Sequence, residues 1–149
     1  MSGGRTGITE EPNYRGVVYP WQCHHAGHMN IMWYVSKFDE ANWSFFGRLG
    51  VTRGYMRDSE CGVAGVQQNL SYRREMFAGD LVEITTGMLH VGDRSIRFLH
   101  EMRDAVTGET TATCEMTAAH LDRRTRASTP WPPEIRRAAS RRLGAAEPA

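Results

Sequence analysis

No stretch of this chain approaches the ~20 consecutive apolar residues that a membrane-spanning helix needs, so no membrane partner is expected. The opening residues, Met1 to Gly7, lack the apolar core of a secretory signal, and the expected location is cytoplasmic. Cysteine is scarce. Cys23, Cys61 and Cys114 are odd in number, widely spaced and without a C-x-x-C, which argues against a disulfide framework or a zinc cage. An excess of one charge is missing too, since the net charge is +1 over 149 residues.

That small total hides an uneven distribution: residues 1–122 carry −4 and residues 123–149 carry +5. The basic end holds Arg123, Arg124, Arg126, Arg136, Arg137, Arg141 and Arg142, with Trp131 as its one aromatic. Nucleic-acid surfaces interleave aromatics with such charges, so the run reads as a solvated, frayed terminus and no nucleic-acid partner is expected.

A hydrophobic content of 40% and a charged content of 23% describe an ordinary globular chain, and the length suits one domain. Residues 1–13 read as a flexible lead, 14–129 as the folded domain and 130–149 as the basic tail. Pro130, Pro132 and Pro133 end the ordered body, with at most a weak helix over Glu134–Leu143.

Within the domain, Tyr14–Tyr19 reads as a first strand. Across Ile31–Leu49, apolar residues recur every three or four positions, with Asn30 placed as an N-cap and Gly50 as a stop. After the polar connection Arg53–Glu60 the period becomes two over Gly62–Arg74, Leu81–Val91, Ser95–Asp104 and Glu109–Arg123. Gly79-Asp80, Gly92-Asp93 and Thr107-Gly108 supply turns, which predicts an antiparallel meander. The expected fold is α+β: about five antiparallel strands wrapped around one long central helix. Exposed sheet edges would invite a second copy.

The chemistry concentrates in Trp21–Ile31 (WQCHHAGHMNI), just ahead of that helix. Gly27 permits a tight backbone, and the helix N-terminus presents unpaired N–H groups that can polarise a carbonyl. His24, His25 and His28 can move protons near neutral pH. Adjacent histidines point apart, and no carboxylate stands at ligand spacing, so no metal and no cofactor are expected.

The run Gly27-His28-Met29-Asn30, followed by Tyr34, Phe38-Asp39-Glu40-Ala41 and Leu49-Gly50, resembles the hotdog-fold acyl-CoA thioesterases of the 4-hydroxybenzoyl-CoA thioesterase type. Leu70-Ser71-Tyr72-Arg73-Arg74-Glu75 with Gly79-Asp80, then Arg94-Ser95 and Thr110–Glu115, extend the likeness over residues 14–126. The resemblance implies acyl-CoA as substrate, a homodimer or dimer of dimers, and a site at the subunit interface. It maps the carbonyl-polarising amide onto Ile31. One departure stands out: the family's catalytic aspartate position, three before the glycine, is His24, and the acidic position two earlier is Gln22.

His24 is therefore the expected base, with Asp39 a second catalytic candidate. Gly27, His28, Asn30, Tyr34, Arg73, Arg94 and Ser95 are the expected substrate contacts, the arginines because guanidinium grips phosphate. Glu75 reads as a solvated turn acid. Three functions stay open: thioester hydrolysis, hydration or dehydration on the same fold, and acyl-CoA binding without turnover.

Overall fold

The computed structural model describes residues 11–144. Its elements are β1 (Tyr14–Val17), α1 (Ile31–Leu49), α2 (Arg53–Ser59), β2 (Cys61–Tyr72), β3 (Leu81–Val91), β4 (Ser95–Asp104), β5 (Thr110–Asp122) and α3 (Pro133–Ser140). Among the described residues no helix is long and apolar enough to cross a membrane.

The five strands form one antiparallel sheet in the order β1-β3-β4-β5-β2. The expected meander therefore holds for β3, β4 and β5 only. β2 joins the far edge, against β5, and β1 closes the other edge against β3. The connection Arg73–Asp80 is no tight turn. It passes the N-terminus of α1, where Met76 is fully buried, so β2 and β3 are consecutive in sequence but not neighbours in the sheet.

α1 begins and ends where its caps dictate. The Asn30 side chain accepts from the Met32 N–H, and Gly50 takes the left-handed conformation at φ 97°. Between them Tyr34, Phe38, Ala41, Phe45, Phe46 and Leu49 are buried against the sheet. Two apolar clusters result. Phe45, Phe46 and Leu49 pack on Met88, Ile96 and Phe98, while Phe38 and Ala41 pack on Ile84, Met102 and Cys114. Each large side chain so buried stabilises the fold by about 1.5–3 kcal/mol.

The buried histidines of this core are paired at both ring nitrogens, whereas Thr85 Oγ1 and Trp131 Nε1 are buried without a hydrogen-bond partner. His100 is fully buried, donates from Nε2 to Asn42 Oδ1 at 2.6 Å and accepts at Nδ1 from the Thr86 hydroxyl at 2.6 Å. Its ring lies parallel to Phe38. Burial pushes its pKa down to about 3, so it stays neutral. Asn13, at the edge of the expected flexible lead, is also buried and donates to the Ala41 carbonyl at 3.1 Å. The ordered body thus starts before Tyr14; the rest of that lead, residues 1–10, lies outside the described residues.

Two further expectations change. The polar connection after α1 contains α2, capped by Thr52, whose hydroxyl accepts from the Tyr55 N–H. The basic end is not frayed through Ser140. Trp131, Ile135 and Ala139 are buried in the same cluster as Phe46 and Leu49. His120 anchors this segment, donating from Nδ1 to the Thr129 carbonyl at 2.9 Å, accepting at Nε2 from the Tyr55 hydroxyl at 2.7 Å and stacking on Trp131. One helix face carries Ile135 and Ala139 while Arg136 and Arg137 face solvent, which is why a count of charges hid a docked helix.

Two outcomes follow from this packing. Ile135→Ala should lose about 2–5 kcal/mol in urea denaturation, the usual cost of emptying a buried aliphatic site; a solvated tail would lose nothing. For His100, the unfolded chain binds a proton near pH 6.5 that the folded chain refuses until about pH 3. Stability should therefore fall as pH drops through that window, by up to about 1.4 kcal/mol per unit. His100→Gln, measured by denaturation midpoints between pH 7 and pH 4, should flatten that slope.

Candidate active site

The loop before α1 is held from three sides. A turn runs from His24 to Gly27, whose N–H donates to the His24 carbonyl at 2.9 Å and whose φ of 99° only glycine adopts without strain. Returning, His24 N–H donates to the His28 carbonyl at 3.0 Å, and Cys23 pairs with Met29. Met29 N–H then donates to the Met76 carbonyl at 2.7 Å, and His28 pairs with Phe77. The loop is thereby laced to the segment that follows β2.

A cavity of about 310 Å³ opens at this junction, lined by His28, Met29, Ile31, Tyr34, Tyr72 and Arg73–Glu75. Its floor is aromatic. The Tyr34 ring meets Tyr72 edge-on at 5.3 Å, and the Tyr34 hydroxyl donates to the Arg74 carbonyl at 3.1 Å. Burial pushes the Tyr34 phenol pKa up, so it remains a protonated donor.

The first turn of α1 faces the same space. Met32 N–H is taken by the Asn30 side chain and Trp33 N–H by the Asn30 carbonyl. Ile31 N–H makes no hydrogen bond among the described residues and carries the positive end of the helix dipole.

His24, His28 and Glu75 form a row of three side chains beside this helix end. His24 Nδ1 accepts from the Ala26 N–H at 2.9 Å, so the neutral ring carries its proton on Nε2. That Nε2 stands 3.1 Å from His28 Nδ1, and His28 Nε2 stands 3.4 Å from Glu75 Oε1. Desolvation, then the neighbouring His28 and His25, lower the His24 pKa and keep it neutral.

Of the expected site residues, His28, Ile31, Tyr34 and Arg73 line the cavity and Asn30 shapes it. Gly27 and His24 sit one layer behind, outside the lining. Asp39 is exposed on α1 and does not line this cavity. Arg94 and Ser95 lie at the far end of the sheet; Arg94 donates to the Ser128 carbonyl at 2.9 Å. Arg73 makes no ion pair among the described residues, whereas Arg74 pairs with Glu109 at 3.1 Å. Glu75, read from the sequence as a solvated turn acid, is exposed but lines the cavity and meets His28. A second cavity, between β1 and α1, is lined by Tyr14, Trp33, Lys37 and Glu40 and gathers none of the expected site residues.

A family model described as the thioesterase-like superfamily matches residues 18–139. No curated protein matches the sequence. Among solved structures, a Staphylococcus aureus protein in complex with CoA superposes with a TM-score of 0.85 at 15% identity, over 91% of this chain and 85% of that one. A 1,4-dihydroxy-2-naphthoyl-CoA thioesterase from Synechocystis gives a TM-score of 0.76 at 14% identity, over 85% and 93%. A probable thioesterase from Escherichia coli gives 0.73 at 19% identity, over 87% and 97%. At such identities these likenesses establish the hotdog fold.

The Asn30 cap sets where the Ile31 amide points. Asn30→Ala should cost about 0.5–2 kcal/mol in thermal or urea unfolding, while Asn30→Asp, which keeps the acceptor, should stay close to the parent. Equal losses in both variants would separate the cap from the helix end.

Proposed function

The chain belongs to the thioesterase-like superfamily, and from that premise we propose that it hydrolyses an acyl-CoA thioester to a carboxylic acid and free CoA. What carries this reading is one cavity whose lining joins Ile31, with its unpaired helix-terminal N–H, to His28 and Glu75.

A thioester carbonyl lacks strong resonance with sulfur, so it reacts once its oxygen is polarised and water is activated beside it. Ile31 N–H is the group for the oxygen: preorganised, dipole-assisted, and free of an internal partner. The base is drawn from the row His24, His28 and Glu75, of which His28 and Glu75 line the cavity. Water adds to the carbonyl carbon, a proton passes to the base, the C–S bond breaks, and the thiolate recovers the proton as CoA thiol. Arg73, exposed at the rim, is the cation for a CoA phosphate.

We also propose that two copies complete the site. β2 is an open edge with Val66 61% exposed, and a two-fold pairing of these edges would lay the Tyr72 end of one copy beside the Cys61 end of the other. The latter end of the sheet carries Arg94 and Ser95, which gives the two far residues a route to a neighbour's cavity.

The test is release of free thiol from a panel of acyl-CoAs, followed with a thiol reagent. Hydrolysis yields steady thiol; a hydratase yields none; a binding module yields saturable affinity without turnover. Arg73→Ala should raise KM roughly tenfold or more, since a hydrogen bond to a charged group contributes about 1.5–3 kcal/mol. Sedimentation at micromolar concentration should show a dimer or larger, and a stable monomer would remove the shared-site reading.

A further inference from the structure

Resting on that hydrolytic reading, we infer that Glu75 is the base that activates the attacking water, and that His28 and His24 behind it are positioning residues that aim its carboxylate.

The hydrogen-bond directions decide between the three candidates. A general base needs a free lone pair facing the cavity. His24 has none: Nδ1 already accepts from Ala26 N–H, and Nε2 donates toward His28. His28 has none either, because its Nδ1 takes the His24 proton and its own proton therefore sits on Nε2. The hydrogen bonds run one way, from Ala26 N–H through His24 to His28, and the His28 Nε2 proton then faces Glu75 Oε1 across a 3.4 Å charge contact. Glu75 stands at the end of this row with carboxylate lone pairs to spare, and its side chain is 61% exposed in the cavity lining where His28 is 29% exposed.

The backbone keeps this arrangement in place. Glu75 precedes Met76, whose carbonyl accepts from Met29 N–H, and the adjacent Arg73 and Arg74 N–H groups both donate to the Thr111 carbonyl. Glu75 is thus fixed between two anchors although it lies outside any strand. Ile31 lines the same cavity as Glu75, so a carbonyl held at the helix end shares one lining with the carboxylate.

In the reaction, one water O–H bond breaks as the water oxygen bonds to the thioester carbon, and the proton goes to the free Glu75 oxygen. When the C–S bond breaks, the electron pair stays on sulfur and the Glu75 proton passes to it, leaving the carboxylate as it began. His28 and His24 keep their own protons throughout. The His28 imidazole, 3.4 Å from Oε1, biases the carboxylate toward the cavity by charge attraction.

The experiment uses the full chain and the acyl-CoA that it turns over fastest. Glu75→Gln should lose about 10²–10⁴ in kcat, with KM changed by less than about threefold and an unaltered melting temperature. Glu75→Ala should recover part of its kcat in added formate, a carboxylate small enough for the vacated space. His28→Gln, whose amide nitrogen can stand where Nε2 stood, should keep more kcat than His28→Asn, whose amide stops short. That ordering is one a merely structural histidine would not produce. Glu75→Gln turning over at the parent's rate overturns the inference and leaves hydrolysis standing; if His24→Asn then loses two or more orders, the base is His24. A parent chain that releases no thiol from any acyl-CoA overturns hydrolysis itself, and the role of Glu75 with it.

Discussion

Everything in this molecule depends on one sheet having to bury one long apolar helix. α1 offers Tyr34, Phe38, Phe45, Phe46 and Leu49 on a single face, and a single curled sheet is the surface that covers them. Burying that face fixes the direction of the helix axis. It also fixes where the N-terminus emerges, at the sheet end where β2 finishes, and so decides which loop can meet which strand end.

The inner polar groups refine this packing. His100 sits between β4 and α1 with both ring nitrogens satisfied, so it tolerates burial only as the neutral ring. His120 fills the equivalent part under α2 and the C-terminal segment, tying Tyr55 and Thr129 together over Trp131. Misaligning either ring would leave a buried polar atom without a partner, at about 1–3 kcal/mol each. Such pairs make one helix register better than its neighbours, where apolar contacts alone discriminate weakly.

Function grows from the same constraint. The helix end that emerges beside β2 carries an unpaired amide, and the loop in front of it is stitched to Met76 and Phe77. One cavity lining then holds that helix end and the Glu75 carboxylate together, with neither placed there by its own local structure. Departure from the family's aspartate at the position of His24 is consistent with this arrangement. In the mechanism proposed above, a histidine there supports a carboxylate supplied from elsewhere, where an aspartate would act directly.

Much of the architecture was legible in the residues. The three-four spacing, Asn30 and Gly50 set α1 at Ile31–Leu49, and an extended, period-two pattern between glycine turns set β3 and β4, because these signals act over a few residues. The importance of the segment Trp21–Ile31 was legible for the same reason, since the helix end and its histidines are contiguous. Three features were decided only by tertiary structure. β2 crosses to the β5 edge because the Arg73–Asp80 connection is drawn past the helix end, a choice made by long-range burial of Met76. α3 docks because a hollow beside Phe46 and Leu49 accepts Ile135 and Ala139, and a window rich in arginine cannot announce a hollow elsewhere. Glu75 reaches His28 because two backbone pairings bring distant segments together. Local periodicity records what a residue needs on its own element; it carries no record of which other element will stand opposite.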